Sequence, residues 1–123
     1  MSKQFYPNVL NQLANTDEIE IETRSATGRT HRTIIWVMVD NNDVYVRSVR
    51  GQNGRWYQEI IANPDAAIHL DGQRLAVYAL PVTDEALIAQ VSNNILQKYR
   101  GSPSARSMVR KEILPTTLRL EPA

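Results

Sequence analysis

Residues 44–64, VYVRSVRGQNGRWYQEIIANP, carry the pattern that decides the fold of this chain. They begin with the period-two alternation of a strand and continue through a polar turn that Gly51 and Gly54 bracket. From Arg55 onward the apolar residues follow a helical period, and the helix ends before Pro64 because a residue preceding proline avoids the helical conformation. The stretch therefore predicts a strand, a glycine-bearing turn and a helix in succession.

Three arginines of this stretch gather around the predicted start of the helix. Arg47, Arg50 and Arg55 bring guanidinium groups to the place where free backbone N–H groups and the positive end of the helix dipole also point. Binding of a phosphate group requires this combination. The alternative is that the arginines are solvated and that Trp56 and Tyr57 pack into the core instead of forming a platform for a ligand.

The composition indicates one globular domain. The chain has 123 residues, of which 42% are hydrophobic and 22% charged, so it can bury a single core, and we predict one domain over residues 1–123. No apolar run is long enough to cross a membrane. The opening MSKQFYPNVL lacks the apolar centre of a signal peptide, so a cytoplasmic location is expected.

The residue types present exclude several chemistries. The absence of cysteine excludes disulfides, a thiolate nucleophile and cysteine-based zinc or iron–sulfur sites. His31 and His69 are isolated in the sequence, so each is expected to be structural and no metal site is predicted. No acid–base pair or nucleophilic triad stands out. Tyr57 is the best candidate for a proton donor, with a structural role as the favoured alternative.

Positive charge is concentrated in one region although the net charge is only +1. Residues 24–55 hold six arginines against two aspartates. The planar fork of arginine suits bidentate contacts with phosphate or carboxylate, so a defined anionic partner is favoured over a diffuse polyanion. Binding of nucleic acid through this face is the weaker alternative, because the net charge is near zero and exposed aromatic residues are few.

The rest of the chain supplies five further strands and three further helices. Hairpin signals stand at residues 40–43 and 71–72, where the residue types tolerate positive φ. The predicted strands cover residues 17–24, 33–39, 44–49, 66–70, 75–79 and 117–120. The predicted helices cover residues 7–13, 55–63, 83 or 84 to 101, and 104–113. This order predicts an α+β fold with a barrel-like antiparallel sheet of six strands.

Five segments, taken in order, resemble a known superfamily. They are Thr27-Gly28-Arg29, Ser48 through Gly51, Trp56-Tyr57, Ala62-Asn63-Pro64 and Leu118 to Pro122. Their order and spacing, from about residue 20 to the end, are similar to those of the split β-barrel flavin-binding superfamily. The similarity is greatest to its deazaflavin-dependent nitroreductase branch and to small uncharacterised bacterial proteins of the same build. The resemblance implies a six-stranded antiparallel split β-barrel with flanking helices.

The resemblance also implies a cofactor and its contacts. In such proteins the T-G-R loop and the Ser-x-basic-Gly turn hold the cofactor's phosphate, and the W-Y helix start lies beside it. Carried over, this gives Thr27, Gly28, Arg29, Ser48, Arg50 and Gly51 on the phosphate side, with Trp56 and Tyr57 next to them. Charge clustering adds Arg32, Arg47 and Arg55 to the predicted site. The cofactor's ring is expected against the strand around residues 34–38.

The choice of cofactor stays open between FMN and a deazaflavin coenzyme. The nitroreductase pattern has further glycines where this chain has Thr30-His31-Arg32 and Gln52, so the shapes of both loops differ from that pattern. Other branches of the superfamily bind haem or biliverdin. Haem held by a thiolate is excluded because the chain has no cysteine, and neither histidine is well placed to hold haem.

The implied function is a flavin- or deazaflavin-dependent oxidoreductase that transfers a hydride to a small electrophilic or unsaturated substrate. The cofactor would carry that chemistry, and the protein would supply position and electrostatics. The alternative is a split-barrel protein that binds a flavin-like or other anionic ligand without catalysis, since a fold does not determine a function. Split barrels often pair with the cofactor at the dimer interface, whereas nitroreductase-like members can act as monomers, so a homodimer and a monomer both stay open.

Overall fold

The chain folds into three α-helices and seven β-strands in a computed structural model that describes residues 3–123. Met1 and Ser2 belong to the predicted domain and to the stretch compared with a signal peptide, and they lie outside the described residues. The helices are α1 (Pro7–Ala14), α2 (Arg55–Ala62) and α3 (Glu85–Lys98). The strands are β1 (Glu18–Arg24), β2 (Thr30–Trp36), β3 (Met38–Asp40), β4 (Asp43–Val46), β5 (Asp65–Leu70), β6 (Gln73–Pro81) and β7 (Leu118–Pro122).

The strands form one antiparallel sheet in the order β2-β1-β5-β6-β7-β4-β3. β2 and β3 stand at opposite ends of this sheet, although only Val37 separates them in the chain. The chain therefore passes from one end of the sheet to the other across a single residue. This connection requires the sheet to curl into a half-barrel, which agrees with the predicted α+β class.

The prediction of six strands is wrong by one, because the strand expected over residues 33–39 is divided at Val37. The N–H of Val37 donates to the hydroxyl of Tyr99 at 3.2 Å, and its carbonyl accepts from the ammonium of Lys98 at 2.7 Å. Both side chains come from the end of α3. They occupy the backbone groups of Val37 that strand pairing would otherwise use, so the ladder of backbone hydrogen bonds stops there and a new strand begins at β3.

Both predicted hairpins are present. Asn41 and Asn42 have φ of 53° and 67° in the turn between β3 and β4. Asp71 and Gly72 have φ of 50° and 78° in the turn between β5 and β6. Positive φ at both central residues gives a turn whose twist matches that of the strands, and these residue types tolerate it.

Three of the four predicted helices are confirmed, and the fourth is corrected. Asp84 caps α3, since its Oδ1 accepts the N–H of Ala86 at 2.9 Å. The segment over 104–113 instead contains a 3-10 turn, Ala105–Val109, and Leu114–Thr116 forms another. The hydroxyl of Ser102 accepts the N–H of Ser104 at 3.2 Å, a local bond that competes with an α-helix.

Two apolar clusters fix the positions of the helices. The larger fills the inside of the curled sheet and includes α1 and the buried face of α2. The smaller lies between α3 and the opposite face of the sheet, where Met38, Tyr45, Val91 and Ile95 are buried. Within residues 3–123, no helix has both the length and the apolar character needed to cross a bilayer.

Candidate functional site

A cavity of about 510 Å³ opens where β2 faces the segment that follows β4. Its lining comes from Glu18, residues 33–36, residues 47–50, residues 54–56, Ser104 and Met108. The site therefore combines the free edge of β2, the arginine-bearing turn and the start of α2. Much of the stretch that the sequence singles out lies along one wall of this cavity.

The hydroxyl of Ser48 is the most informative atom in the wall. Ser48 is 1% exposed, and its Oγ has no hydrogen-bond partner among residues 3–123. Its backbone N–H is held by the hydroxyl of Thr116 at 3.0 Å, which fixes the residue in place. Buried hydroxyls are normally paired, so this unpaired hydroxyl stands out in the cavity wall.

Gly54 allows this hydroxyl to pack directly against the backbone at the start of α2. A Cβ on Gly54 would lie 2.5 Å from Ser48 Oγ, closer than non-bonded atoms approach. The backbone of Gly54 has φ of −63° and ψ of 136°, which any residue can adopt, so the need for glycine here is one of space. A side chain at position 54 would therefore displace the Ser48 hydroxyl.

The start of α2 adds unsatisfied donors to the same wall. Gly54 is the N-cap residue and caps the helix with no side chain. Within residues 3–123, the N–H groups of Arg55, Trp56 and Tyr57 donate to no protein acceptor, and the first bonded N–H is that of Gln58. Free N–H groups at the positive end of a helix favour an anion.

Two exposed arginines border these donors, as the sequence predicts. Arg50 and Arg55 both line the cavity and are exposed. Within the described residues, no carboxylate lies within 4.0 Å of either guanidinium. Their donors are available for a ligand, and bidentate contact with phosphate is what this side chain does best.

The remainder of the lining is apolar. Ile34 is 64% exposed and Val49 is 53% exposed, although both are large hydrophobic residues. Trp36 stacks on Tyr99 with ring centroids 3.8 Å apart, and Trp56 is buried and also lines the cavity. This wall suits a planar ring, because apolar and aromatic side chains gain most from covering one.

Arg47 does not point where the sequence analysis placed it. Its Nε donates to Thr117 Oγ1 at 2.8 Å, its Nη1 to Ser92 Oγ at 2.9 Å and to the carbonyl of Met108 at 3.0 Å, and its Nη2 to the carbonyl of Ile88 at 2.8 Å. It is 1% exposed and still contributes to the cavity wall. Arg47 follows the end of β4 at Val46, and its side chain runs to acceptors on α3, at Met108 and at Thr117.

The T-G-R loop lies apart from this cavity. Thr27, Gly28 and Arg29 are exposed in the turn between β1 and β2, and none of them lines the cavity. Ser25 Oγ accepts the N–H of Arg29 at 3.2 Å and bonds Thr27 Oγ1 at 2.9 Å, so the turn satisfies its own polar groups. Their role as phosphate contacts stays a prediction.

Arg32, Gly51 and Tyr57 also fall outside the lining. Arg32 is exposed on β2, with Nη1 3.9 Å from Glu20 Oε1. Gly51 is buried with φ of +69°, so it shapes the turn. Tyr57 is half-buried, its hydroxyl donates to the carbonyl of Pro115 at 3.4 Å, and burial raises its pKa.

Six residues of the lining were not among the predicted site residues: Glu18, Thr33, Val49, Gly54, Ser104 and Met108. Thr33, whose hydroxyl is buried without a partner among residues 3–123, belongs to a predicted strand, but its unsatisfied state is visible only in three dimensions. Glu18, Ser104 and Met108 reach the cavity from distant parts of the chain. Nothing in their local sequence marks them.

Both histidines are paired with carboxylates away from the cavity. His31 Nδ1 lies 3.0 Å from Glu59 Oε2, and His69 Nε2 lies 2.7 Å from Glu22 Oε1. Hydrogen bonds from Arg74 and then from His69 lower the pKa of Glu22 to about 2. Within residues 3–123, no group of three His, Asp or Glu side chains has the arrangement of a metal site.

Solved structures share this fold. The chain is 14% identical to Campylobacter jejuni ChuZ, with a TM-score of 0.75, and the match covers 98% of this chain but only 55% of that one. It is 15% identical to the haem storage protein HutZ of Vibrio cholerae, with a TM-score of 0.69, and the match covers 98% and 91% of the two chains. It is 16% identical to an F420-H2 dependent reductase, FDR-A, with a TM-score of 0.67, and the match covers 85% and 94%. At such identities the likeness shows the fold alone, and the chain spans about half of ChuZ.

These matches show that the chain shares its fold with HutZ and with FDR-A, in agreement with the fold that the sequence predicts. The chain belongs to the family described as an uncharacterised protein conserved in bacteria, DUF2255, which matches residues 9–120. No curated protein matches it in sequence.

Proposed function

We propose that this chain binds a phosphate-bearing redox cofactor of the flavin type, FMN or a deazaflavin coenzyme, and transfers a hydride to a small-molecule substrate. The observation that carries the proposal is the buried, unpaired hydroxyl of Ser48 beside the uncapped start of α2. An anion with several acceptor oxygens would satisfy the hydroxyl and the helix N–H groups together.

The charged residues fit the phosphate. Arg50 and Arg55 border the same donors and lack acidic partners within the described residues, so their guanidinium groups complete an anion-binding cradle. Gly54 allows Ser48 Oγ to lie against the start of α2, since a Cβ there would meet this hydroxyl. The backbone at 54–57 and the side chains of Ser48, Arg50 and Arg55 would hold the phosphate.

The apolar wall fits the ring. Ile34, Trp36, Val49 and Trp56 line the cavity and would cover a planar ring, while the free edge of β2 offers backbone groups for its polar atoms. The bound cofactor would supply the hydride chemistry. The chain itself would bind and orient the cofactor and exclude water from it. This role agrees with the small number of acid–base groups in the cavity: of the described residues that line it, only Glu18 carries a carboxylate.

Two matched ligands and two matched variants test the phosphate site. FMN and riboflavin differ by the phosphate group. Wild-type protein is therefore expected to bind FMN about tenfold more tightly than riboflavin, because the phosphate would make one or two charge-assisted hydrogen bonds. Arg50→Gln should reduce that preference to a few-fold, while Arg29→Gln in the exposed T-G-R loop should leave it unchanged. Fluorescence quenching of the flavin measures the affinity of each of the three proteins for each of the two ligands. Equal affinity for FMN and riboflavin, or equal effects of both variants, would contradict the proposed site.

A second candidate function is ligand binding without turnover. It is favoured by the lining, whose polar side chains are of types that bind anions, and by the similarity of the fold to a haem storage protein. Neither His31 nor His69 lines the cavity, so the residues present there do not fit histidine-ligated haem. Anaerobic mixing of dithionite-reduced cofactor and protein with a nitroaromatic compound separates the candidates. Reoxidation faster than without protein supports the oxidoreductase, and an unchanged rate supports the binding protein.

A further inference from the structure

Arg47 is the largest fully buried side chain among residues 3–123, and its charge has no counter-ion within them. Its four bonded acceptors are two hydroxyls and two backbone carbonyls, all neutral. No carboxylate of the described chain lies within 4.0 Å of the guanidinium. Burial lowers its pKa to about 10, so the side chain is still charged at neutral pH.

A buried charge of this kind needs an explanation. Arginine is almost never fully buried unless it is paired, because removing an ion from water is costly. Hydrogen bonds to neutral acceptors satisfy its donors but leave its net charge uncancelled. In a poorly solvated interior, that charge acts over a longer distance than it would at the surface.

Arg47 lies where its charge can reach the cavity. Arg47 is part of the cavity wall, between Ser48 on its own segment and Met108 across from it. Its four bonds reach α3, the turn that contains Met108, and the residue just before β7, so the guanidinium cannot swing away. A fixed, desolvated charge needs no reorganisation when an opposite charge arrives, which is how proteins stabilise developing negative charge.

We propose that Arg47 makes the cavity bind a planar ring more tightly when the ring is anionic than when it is neutral. This inference rests on the proposed function: the exposed arginines and the helix start would take the phosphate, and Arg47 would act on the ring. An oxidised flavin-type ring takes up two electrons and one proton to give an anion. Arg47 therefore favours the reduced, anionic cofactor over the oxidised, neutral one, with dithionite as the electron donor in the test below.

A neighbouring residue allows the charge to be cancelled without removing Arg47. Ser92 is half-buried on α3, its hydroxyl accepts from Arg47 Nη1 at 2.9 Å, and it does not line the cavity. Ser92→Asp places a carboxylate against the guanidinium, and Ser92→Asn places a neutral group of the same shape there. Asn and Asp have similar helix propensities, so the pair differs chiefly in charge.

The experiment compares benzoate with benzamide, a planar anion and its neutral counterpart. Their affinities are measured by quenching of protein fluorescence, since Trp36 and Trp56 both line the cavity. Wild-type protein and the Ser92→Asn variant are expected to bind benzoate about tenfold more tightly than benzamide, as one charge–charge contact in a poorly solvated site would give. The Ser92→Asp variant should lose this preference. In FMN-loaded protein the same loss lowers the two-electron midpoint potential by about 30 mV.

Each result is decisive. No preference for benzoate in wild-type protein overturns the inference whatever the variants do, and an equal preference in both variants overturns it as well. FMN and riboflavin are titrated into the same samples. A benzoate preference that only Ser92→Asp removes, without FMN binding, supports the role of Arg47 and rejects the proposed cofactor. FMN binding with equal potentials in the two variants supports the cofactor and rejects the role of Arg47.

Discussion

Two arginine-bearing turns of this molecule, residues 25–30 and residues 48–55, share a predicted role in holding phosphate, yet they differ in structure. In the first turn Ser25 makes local hydrogen bonds: its carbonyl accepts the N–H of Gly28 at 2.9 Å, and its hydroxyl accepts the N–H of Arg29 at 3.2 Å. In the second turn the hydroxyl of Ser48 is buried and unpaired within the described residues. The hydroxyl of Ser25 is therefore satisfied within its own turn, whereas that of Ser48 is not satisfied by any described residue.

The two turns differ in whether their polar groups are satisfied by the protein. Both contain serine, glycine and arginine, so composition does not separate them. The separating property is whether the polar groups are already satisfied, because a satisfied group gains little from a ligand and an unsatisfied buried one gains much. Substitutions at matched positions in the two turns should therefore have different effects on ligand binding.

The largest effect is expected from the two glycines. Gly54→Ala brings a Cβ to 2.5 Å from Ser48 Oγ, so we expect the free energy of unfolding to fall by about 2 kcal/mol. FMN affinity should fall about tenfold, because the Ser48 hydroxyl is displaced from the start of α2. Gly28→Ala meets no atom within 4 Å but has φ of +86°, so it should cost about 1 kcal/mol of backbone strain. Its FMN affinity should stay unchanged. Urea unfolding and FMN titration measure both, and similar loss of FMN affinity in the two variants would remove the contrast.

Glu22 is a carboxylate whose hydrogen bonds are satisfied by the protein, so it provides a further contrast with the unpaired hydroxyl of Ser48. Glu22 accepts bonds from Arg74 at 3.0 and 3.2 Å and pairs with His69, and its pKa is about 2 when folded. Because the folded pKa lies below the ordinary value of 4.5, its contribution to stability is present above about pH 4.5 and is lost as the pH falls toward 2.

Glu22→Gln should therefore lower the free energy of unfolding at pH 7 by about 1–2 kcal/mol, a value reduced for the half-exposed Arg74. It should also flatten the decline of stability between pH 4.5 and 2, which urea unfolding across this pH range measures. FMN affinity should not change, because this carboxylate is satisfied by the protein and does not line the cavity. A large loss of FMN affinity in Glu22→Gln would contradict the expectation that only unsatisfied groups at the cavity contribute to binding.

Local patterns in the sequence predict most of the fold. The alternation in β1, the asparagine and glycine turns and the apolar stripe of α3 are properties of neighbouring residues, and all are present. The division of β2 from β3 could not be predicted, because it depends on Tyr99 and Lys98 bonding Val37 from about sixty positions away along the chain.

The same limit applies to the candidate site. The start of α2 and its exposed arginines follow from a change of period and from the positions of Arg50 and Arg55 in the sequence. The inward course of Arg47 depends on acceptors at Ile88, Ser92, Met108 and Thr117, which only the folded chain assembles around it. Satisfaction of polar groups is a property of the tertiary structure, so no local motif could separate the two turns.

The most direct test of the central claim is a single substitution, Ser48→Ala, measured for both stability and FMN binding, with Ser25→Ala as its control. Removing a buried, unpaired hydroxyl should raise the free energy of unfolding of the ligand-free protein by about 1 kcal/mol, while FMN affinity falls about fivefold because a phosphate contact is lost. Ser25→Ala should lower stability by about 0.5–1 kcal/mol, since its hydroxyl is bonded, and leave FMN affinity unchanged. A Ser48→Ala variant that is less stable, or that binds FMN as the wild type does, would contradict the account.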